Sequence, residues 1–108
     1  MIHKRIPIAK LQPADNLRDE VQISLENLSI EEVENIQRAP QVWDIEDFRM
    51  ISDGNNRIAY CAREGAEDVL VEYCGQCPEE YLFILEEDIK KAKELRKQGI
   101  FTAYDFFK

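Results

Sequence analysis

The step from a strand pattern through a glycine turn into a helix pattern constrains the fold of this chain more than any other feature. The apolar strand pattern of residues 48–52 leads into Asp53-Gly54, and small and apolar residues then recur until Gly65. Residues 69–71 are all apolar, which is typical of a strand that is buried on both faces. A strand, a helix and a second strand in this order predict a sheet with helices packed against it, in an α+β or α/β domain.

The N-terminal part of the chain predicts one strand and two helical regions. Apolar residues flank Pro7, which cannot donate a ladder hydrogen bond, so this strand should lie at a sheet edge. Residues 17–28 fit both strand alternation and a helical face, and their length slightly favours a helix. Ser29 and Glu32 have the spacing of a capping box, which predicts a short helix that ends before Pro40.

The remaining segments predict a hairpin and two C-terminal helical segments. Residues 41–52 fit two strands joined by an acidic turn at residues 44–47. Residues 81–85 are apolar and fit either a strand or the start of a helix. Residues 86–98 form a charged amphipathic pattern with acids in the first turn and bases in the last, which matches the helix dipole. Residues 102–107 predict a final helical turn whose aromatic side chains pack back on the body.

Length and charge limit the classes of function. The 108 residues suit one domain over residues 1–108 with one modest core. The net charge of −8 argues against direct binding of DNA, because duplex-binding surfaces are normally basic. No apolar stretch approaches the ~20 residues that span a bilayer, and residues 1–5 lack the apolar run of a signal peptide. We therefore expect a cytoplasmic protein without a membrane partner.

The cysteines leave two interpretations open. An odd count of three, at Cys61, Cys74 and Cys77, argues against a disulfide framework. Cys74 and Cys77 have the C-x-x-C spacing that supplies half of a zinc site or a redox dithiol. A second pair of ligands is missing and His3 is far away in sequence, which favours a strand end and turn with two half-buried thiols. We expect no metal site in the chain.

The segment Asp53-Gly54-Asn55-Asn56-Arg57 is the candidate ligand site. A helix N-terminus presents unpaired amides and partial positive charge, so it holds anions well. Gly54 permits a tight turn and a close approach of ligand to the main chain. Arg57 suits the positive end of a helix poorly unless it reaches a phosphate or carboxylate. Asp53 could orient Arg57, cap the helix or hold a metal that a nucleotide carries, although the segment also suits a plain helix cap without a ligand.

Residues 5–71 resemble the ParB/sulfiredoxin superfamily in the order and spacing of their elements. The shared features are an opening strand at residues 5–13, a helical region, a Pro-led strand at 40–44, a strand ending in a Gly-x-x-Arg turn at 50–57, a helix rich in small residues at 58–65 and a strand at 68–71. The resemblance implies an α+β fold of the ParB/sulfiredoxin type, a small mixed sheet with helices packed around it. It also implies a nucleotide or phosphate site at Gly54, Asn55, Asn56 and Arg57, since family members bind CTP, ATP or ADP at this turn.

The residues that perform chemistry in relatives are replaced in this turn. Sulfiredoxins place a catalytic Cys directly after the Gly, where this chain has Asn55. Free serine kinases place His before the Arg, where this chain has Asn56, and an Asn cannot shuttle a proton. ParB proteins carry further Arg residues at the turn and a DNA-reading helix-turn-helix, which we do not expect in so short and acidic a chain.

Three functional hypotheses therefore stay open. The first is a ParB-like domain that binds a nucleotide (ATP, ADP or CTP, with magnesium) or another small phosphorylated ligand without catalysis. The second is a small kinase or nuclease of the same fold, for which no catalytic residue can be assigned. The third is an interaction module that binds a basic protein partner through its acidic surface and the tail at Tyr104, Phe106 and Phe107.

Overall fold

A four-stranded mixed sheet lies at the centre of the fold that the computed structural model describes for residues 2–108; Met1 lies outside the described residues. The strands are β1 (Ile2–Pro7), β2 (Gln41–Ile45), β3 (Phe48–Asp53) and β4 (Asp68–Gln76). Their order is β1-β4-β2-β3, with β2 and β3 in an antiparallel hairpin, β4 parallel to β2 and β1 antiparallel to β4. The strand that contains Pro7 therefore lies at an edge, as predicted, and the apolar β4 is central.

Helices pack on the sheet and give the α+β architecture that the sequence predicts. Within residues 2–108 they are α1 (Asp19–Leu25), α2 (Ile30–Asn35), α3 (Asn55–Arg63) and α4 (Glu86–Lys97), with short 3-10 segments at Ile8–Lys10, Glu79–Tyr81 and Ala103–Phe107. The ambiguous residues 17–28 contain a helix. No helix among residues 2–108 has both the length and the apolar character needed to cross a membrane.

The predicted capping box at the start of α2 is present. The Glu32 amide donates to Ser29 Oγ and the Ser29 amide donates to Glu32 Oε1, each at 3.1 Å. α2 is shorter than its apolar pattern suggests, because only Val33 is fully buried and Ile36 is 43% exposed. α2 thus contacts the larger core cluster through the buried Val33 and the partly buried Ile30.

The core has a part on each face of the sheet. Successive residues of a strand point to opposite faces, so Met50 and Ile51 of β3 contribute to different clusters. Ile51 joins the larger cluster beneath α3, in which every residue from Ile58 to Ala62 is buried. Met50 joins the smaller cluster with Ala92 of α4. α3 is therefore held firmly by its apolar face, which fixes the position of its N-terminus.

Residues 81–85 form neither the strand nor the regular helix that their apolar character allows. A 3-10 turn at Glu79–Tyr81 follows Pro78, and further turns lead to Leu85, which is buried at the start of α4. The segment only bridges the end of β4 and the start of α4, so it pairs with no strand of the sheet that the structure describes for residues 2–108. Its side chains from Tyr81 to Ile84 are consequently exposed.

Candidate functional site

Gly54 occupies a position that only glycine fits without strain. It is the N-cap of α3 with φ 86° and ψ 19°, a left-handed conformation that L-residues rarely adopt. A Cβ built on Gly54 would lie 2.7 Å from Pro40 Cβ and 3.0 Å from Arg57 Nη2. Gly54 has no side chain that could accept a capping hydrogen bond from the first turn of α3. The first-turn amides and the Arg57 guanidinium therefore lie side by side.

The N-terminus of α3 opens on a cleft of about 670 Å³. All five candidate residues, from Asp53 to Arg57, line it. The other walls come from α1, from the segment after α2 and from the first turns of α4. Its charged lining residues are Arg18, Arg57 and Lys91 together with Asp15, Asp53, Glu87 and Asp88. The cleft has the size of a typical small-ligand pocket.

Asn55 braces the loop that precedes α1. The Ala14 amide donates to Asn55 Oδ1 at 2.7 Å, and Asn55 Nδ2 donates to the Ile51 carbonyl at 3.1 Å. One side chain therefore ties the loop to the end of β3. The side chain of Asn55 is therefore fully used in structural hydrogen bonds.

Asn56 performs a similar task at the start of α1. Its Oδ1 accepts from the Arg18 amide at 2.7 Å, and its Nδ2 donates to the Asn16 carbonyl at 3.2 Å. Gln22 Nε2 of α1 also donates to the Asn56 main-chain oxygen at 2.9 Å. These bonds hold α1 against α3. The side-chain amide group of Asn56 is therefore already used in structural hydrogen bonds.

Arg57 is a nearly buried cation on the wall of the cleft. Its side chain is 12% exposed, and Nη1 donates to the Arg38 carbonyl at 2.7 Å. Asp53 is a loose partner, because its carboxylate is 64% exposed and lies 4.0 Å from Arg57 Nη2. The guanidinium is thus positioned by the main chain and not neutralised by a close ion pair.

An ion pair between the exposed Arg38 side chain and the buried Glu72 supports the Arg38 carbonyl that positions Arg57. Arg38 donates to both carboxylate oxygens of Glu72, at 2.8 and 2.9 Å, and Glu72 is buried in β4. These hydrogen bonds from Arg38 lower the pKa of Glu72. This pair was not predicted from the sequence. Glu72 directly follows the apolar residues 69–71 of β4, and a buried acid at such a position requires a partner that compensates its charge.

Asp88 is a second residue that the sequence analysis missed. It lines the cleft from the first turn of α4, and burial together with the charges of Asp15 and Asp53 raises its pKa. The carboxylates of the cleft therefore repel one another. No group of three or more His, Cys, Asp or Glu side chains within residues 2–108 could hold a metal ion.

The cysteines have the environment of structural thiols. All three are free, with Cys61 and Cys77 buried and Cys74 half-buried. Burial raises the pKa of each thiol, to about 11 for Cys61. The C-x-x-C pair lies at the end of β4 and the turn after it, as the plainer of the two interpretations expects.

The aromatic tail packs largely on the body of the protein. Tyr104 donates a hydrogen bond to the Ala66 carbonyl, and Phe106 is partly buried against the larger core cluster. Phe107 is 40% exposed. Removal of the tail would therefore uncover core residues.

Comparison with known proteins supports the fold. No family model and no curated protein matches the chain. A solved structure, SbnI with C-terminal truncation from Staphylococcus aureus, is similar with a TM-score of 0.55 and 20% sequence identity. The similarity covers 72% of this chain and 31% of that chain. The chain therefore shares an α+β fold with this structure, as the order of elements in residues 5–71 predicts.

Proposed function

We propose that the cleft at the N-terminus of α3 binds a nucleotide or another small phosphorylated ligand without catalysing its reaction. One observation carries this proposal: Gly54 keeps an uncapped helix end open to a cleft of about 670 Å³, with the Arg57 guanidinium beside it. Unpaired amides and the helix dipole favour an anion at this point. The ligand class agrees with the resemblance of residues 5–71 to nucleotide-binding relatives.

The phosphate would lie against the first turn of α3. Arg57 is already positioned by the Arg38 carbonyl, so binding would cost little side-chain entropy. Arg18 and Lys91 lie in the lining of the same cleft and supply further positive charge. A triphosphate or diphosphate is long enough to contact more than one of these cations.

The acids of the cleft favour a ligand that arrives with magnesium. Asp15, Asp53 and Asp88 would repel a bare phosphate, and a phosphate-bound cation would offset that repulsion. Magnesium typically binds through one or two carboxylates together with phosphate oxygens and water. We therefore expect the magnesium complex of a nucleotide to bind more tightly than the free nucleotide.

The absence of catalysis is inferred from Asn55 and Asn56. Their side chains hold the loop before α1 and the start of α1, and neither can act as a nucleophile or transfer a proton at neutral pH. These are the two positions at which sulfiredoxins and serine kinases carry reactive groups. We therefore propose that the helix end binds a ligand and that neither asparagine takes part in a reaction.

Calorimetric titration with ATP, ADP and CTP, each with magnesium and with EDTA, tests the proposal. We expect binding of at least one nucleotide that weakens when magnesium is removed. Arg57→Ala should raise the Kd about tenfold to 150-fold, because a hydrogen bond to a charged group is worth about 1.5–3 kcal/mol. The thermal unfolding of this variant is measured in parallel, since Arg57 also bonds the Arg38 carbonyl.

A matched pair on α4 gives a control that does not disturb the fold. Lys91 lines the cleft, whereas its neighbour Lys90 is exposed outside the lining. Lys91→Ala should weaken binding severalfold, and Lys90→Ala should leave it unchanged. Absence of heat with all three nucleotides, or equal binding by the two lysine variants and Arg57→Ala, would overturn the proposal.

A further inference from the structure

We propose that a second surface, an apolar groove between the end of the β2–β3 hairpin and the start of α4, docks a basic amphipathic segment of a partner protein. The groove has a volume of about 500 Å³ and shares no lining residue with the cleft at α3. Its apolar walls are formed by Ile45, Leu82, Phe83 and Ile89, with Glu79 and Glu86 at the rim. The inference does not depend on nucleotide binding.

The exposure of the groove's apolar side chains is built into the fold. Phe83, which lines the groove, is 72% exposed, and its neighbour Ile84, outside the lining, is 57% exposed. The main chain here is held in turns, with the Ile84 amide donating to the Tyr81 carbonyl at 3.0 Å and the Leu85 amide to the Leu82 carbonyl at 3.1 Å. An ordered apolar surface of this kind is typical of a protein interaction site.

The Tyr81 ring fixes one end of the segment. It stacks on Trp43 of β2 with the ring centroids 6.2 Å apart. Leu85 is buried at the other end, at the start of α4. The segment that carries Leu82 and Phe83 is therefore fixed at both ends. A partner would bind a surface that is already formed.

Charge identifies the chemistry of the partner. Glu46, Glu79 and Glu86 line the groove, and no basic side chain within the described residues lines it. A second copy of the chain that applied the same surface would bring the same acids into contact. Anionic lipid would be repelled for the same reason. A partner segment with an apolar face would cover the apolar walls of the groove, and Lys or Arg residues beside that face would pair with its acids.

The test uses a defined probe, a fluorescent amphipathic peptide of about 14 residues with Leu on one helical face and Lys on the other. Two control peptides replace either every Lys by Glu or every Leu by Ser. Fluorescence anisotropy should show binding of the first peptide to the protein. Both control peptides should bind at least about tenfold more weakly, and salt should weaken the binding of the first.

Matched protein variants locate the binding site. Phe83→Ser should weaken binding at least about tenfold, because an exposed aromatic anchor loses its contact area. Ile23→Ser removes a similarly exposed apolar side chain from α1, at 64% exposure, and should have no effect. The double variant Glu79→Gln/Glu86→Gln should lose affinity severalfold, whereas Glu31→Gln/Glu67→Gln, on exposed residues elsewhere, should not.

Several results would overturn the proposal. They are no binding of the basic peptide, equal binding of the acidic peptide, or equal losses with Phe83→Ser and Ile23→Ser. Sedimentation that shows a dimer abolished by Phe83→Ser would assign the groove to a second copy of the chain. Binding to phosphatidylcholine vesicles that is lost in the same variant would assign it to lipid. Phe83 is exposed, so the variant should keep the unfolding temperature of the parent protein.

Discussion

Replacement of Gly54 by alanine tests whether the turn before α3 is built as the structure indicates. The left-handed conformation at φ 86° costs an L-residue about 1–2 kcal/mol. The added Cβ would also lie 2.7 Å from Cβ and 2.8 Å from Cγ of the buried Pro40 ring, which cannot move aside as a flexible side chain would. Overpacking of this kind costs about 1–3 kcal/mol. Gly54→Ala should therefore lower the free energy of unfolding by about 2–5 kcal/mol.

The matched control is Gly99→Ala. Gly99 has φ 84°, but a Cβ built on it meets nothing within 4 Å. Urea unfolding followed by the fluorescence of Trp43 measures both variants. With a slope of about 2 kcal/mol/M, the midpoint should fall by about 1–2.5 M for Gly54→Ala and about 0.5–1 M for Gly99→Ala. Equal losses in the two variants would refute the close approach of Pro40 to Gly54.

Three further predictions concern the scaffold around the site. Asn56→Ala should lower the free energy of unfolding by about 1–3 kcal/mol, because two hydrogen bonds to the segment before α1 are lost. In the same urea assay the control Asn35→Ala, at an exposed position of α2, should be near neutral. The Arg38 pair lowers the pKa of Glu72, so it stabilises the fold above the ordinary carboxyl pKa and that stability is lost as the pH falls. The Tm of the parent should thus drop below about pH 4.5, and in Glu72→Gln this part of the pH dependence should be smaller; identical profiles would contradict the ion pair. Burial and raised pKa values should make all three thiols, Cys61 most of all, react with iodoacetamide far more slowly in the native protein than in urea, and equal rates would exclude the structural interpretation.

The local patterns of the sequence were sufficient for most of the fold. Pro7 marks an edge strand, the apolar run at residues 69–71 marks the central strand, and Gly65 and Gly99 lie just beyond the ends of helices. Each of these signals depends on backbone chemistry within a few residues. The candidate residues from Asp53 to Arg57 are also contiguous, so their common location on a helix end could be predicted without knowledge of the packing.

Long-range contacts could not be predicted in the same way. The bonds from Asn55 and Asn56 reach residues about forty positions earlier in the chain, and nothing in their own sequence context indicates these partners. The contribution of Asp88 and Lys91 to the cleft depends on how α4 packs across β3. These contacts are determined by tertiary packing, which overrides local pattern.

Residues 81–84 show a different limit of sequence-based prediction. An apolar run normally indicates burial, and residues 81–85 fit either a strand or the start of a helix. The structure instead leaves Phe83 and Ile84 exposed in a connection between β4 and α4. Hydrophobicity predicts that a side chain will be buried. It does not show whether the side chain is buried in the protein's own core or in an interface with a partner.

The side chains of Asn55 and Asn56 have a structural role at the start of α3. Their hydrogen bonds hold the loop before α1 and the start of α1, which form walls of the cleft. Arg57 and the amides of the helix end remain in place beside that cleft. The turn therefore has groups that can bind a phosphate, but its two asparagines serve the structure. For this reason we propose a binding site and not an active site.

The most direct test of the central claim is a titration of the ¹⁵N-labelled protein with magnesium ATP, ADP and CTP, observed through its backbone amide resonances. We predict saturable shifts, with at least one nucleotide, that are largest for the amides from Gly54 to Arg57 and negligible for those of Phe83 and Gly99. Because the amide protons at an uncapped helix end would bind the phosphate themselves, their resonances report the contact without any mutation. Unchanged resonances at millimolar nucleotide, or shifts concentrated away from α3, would contradict the account.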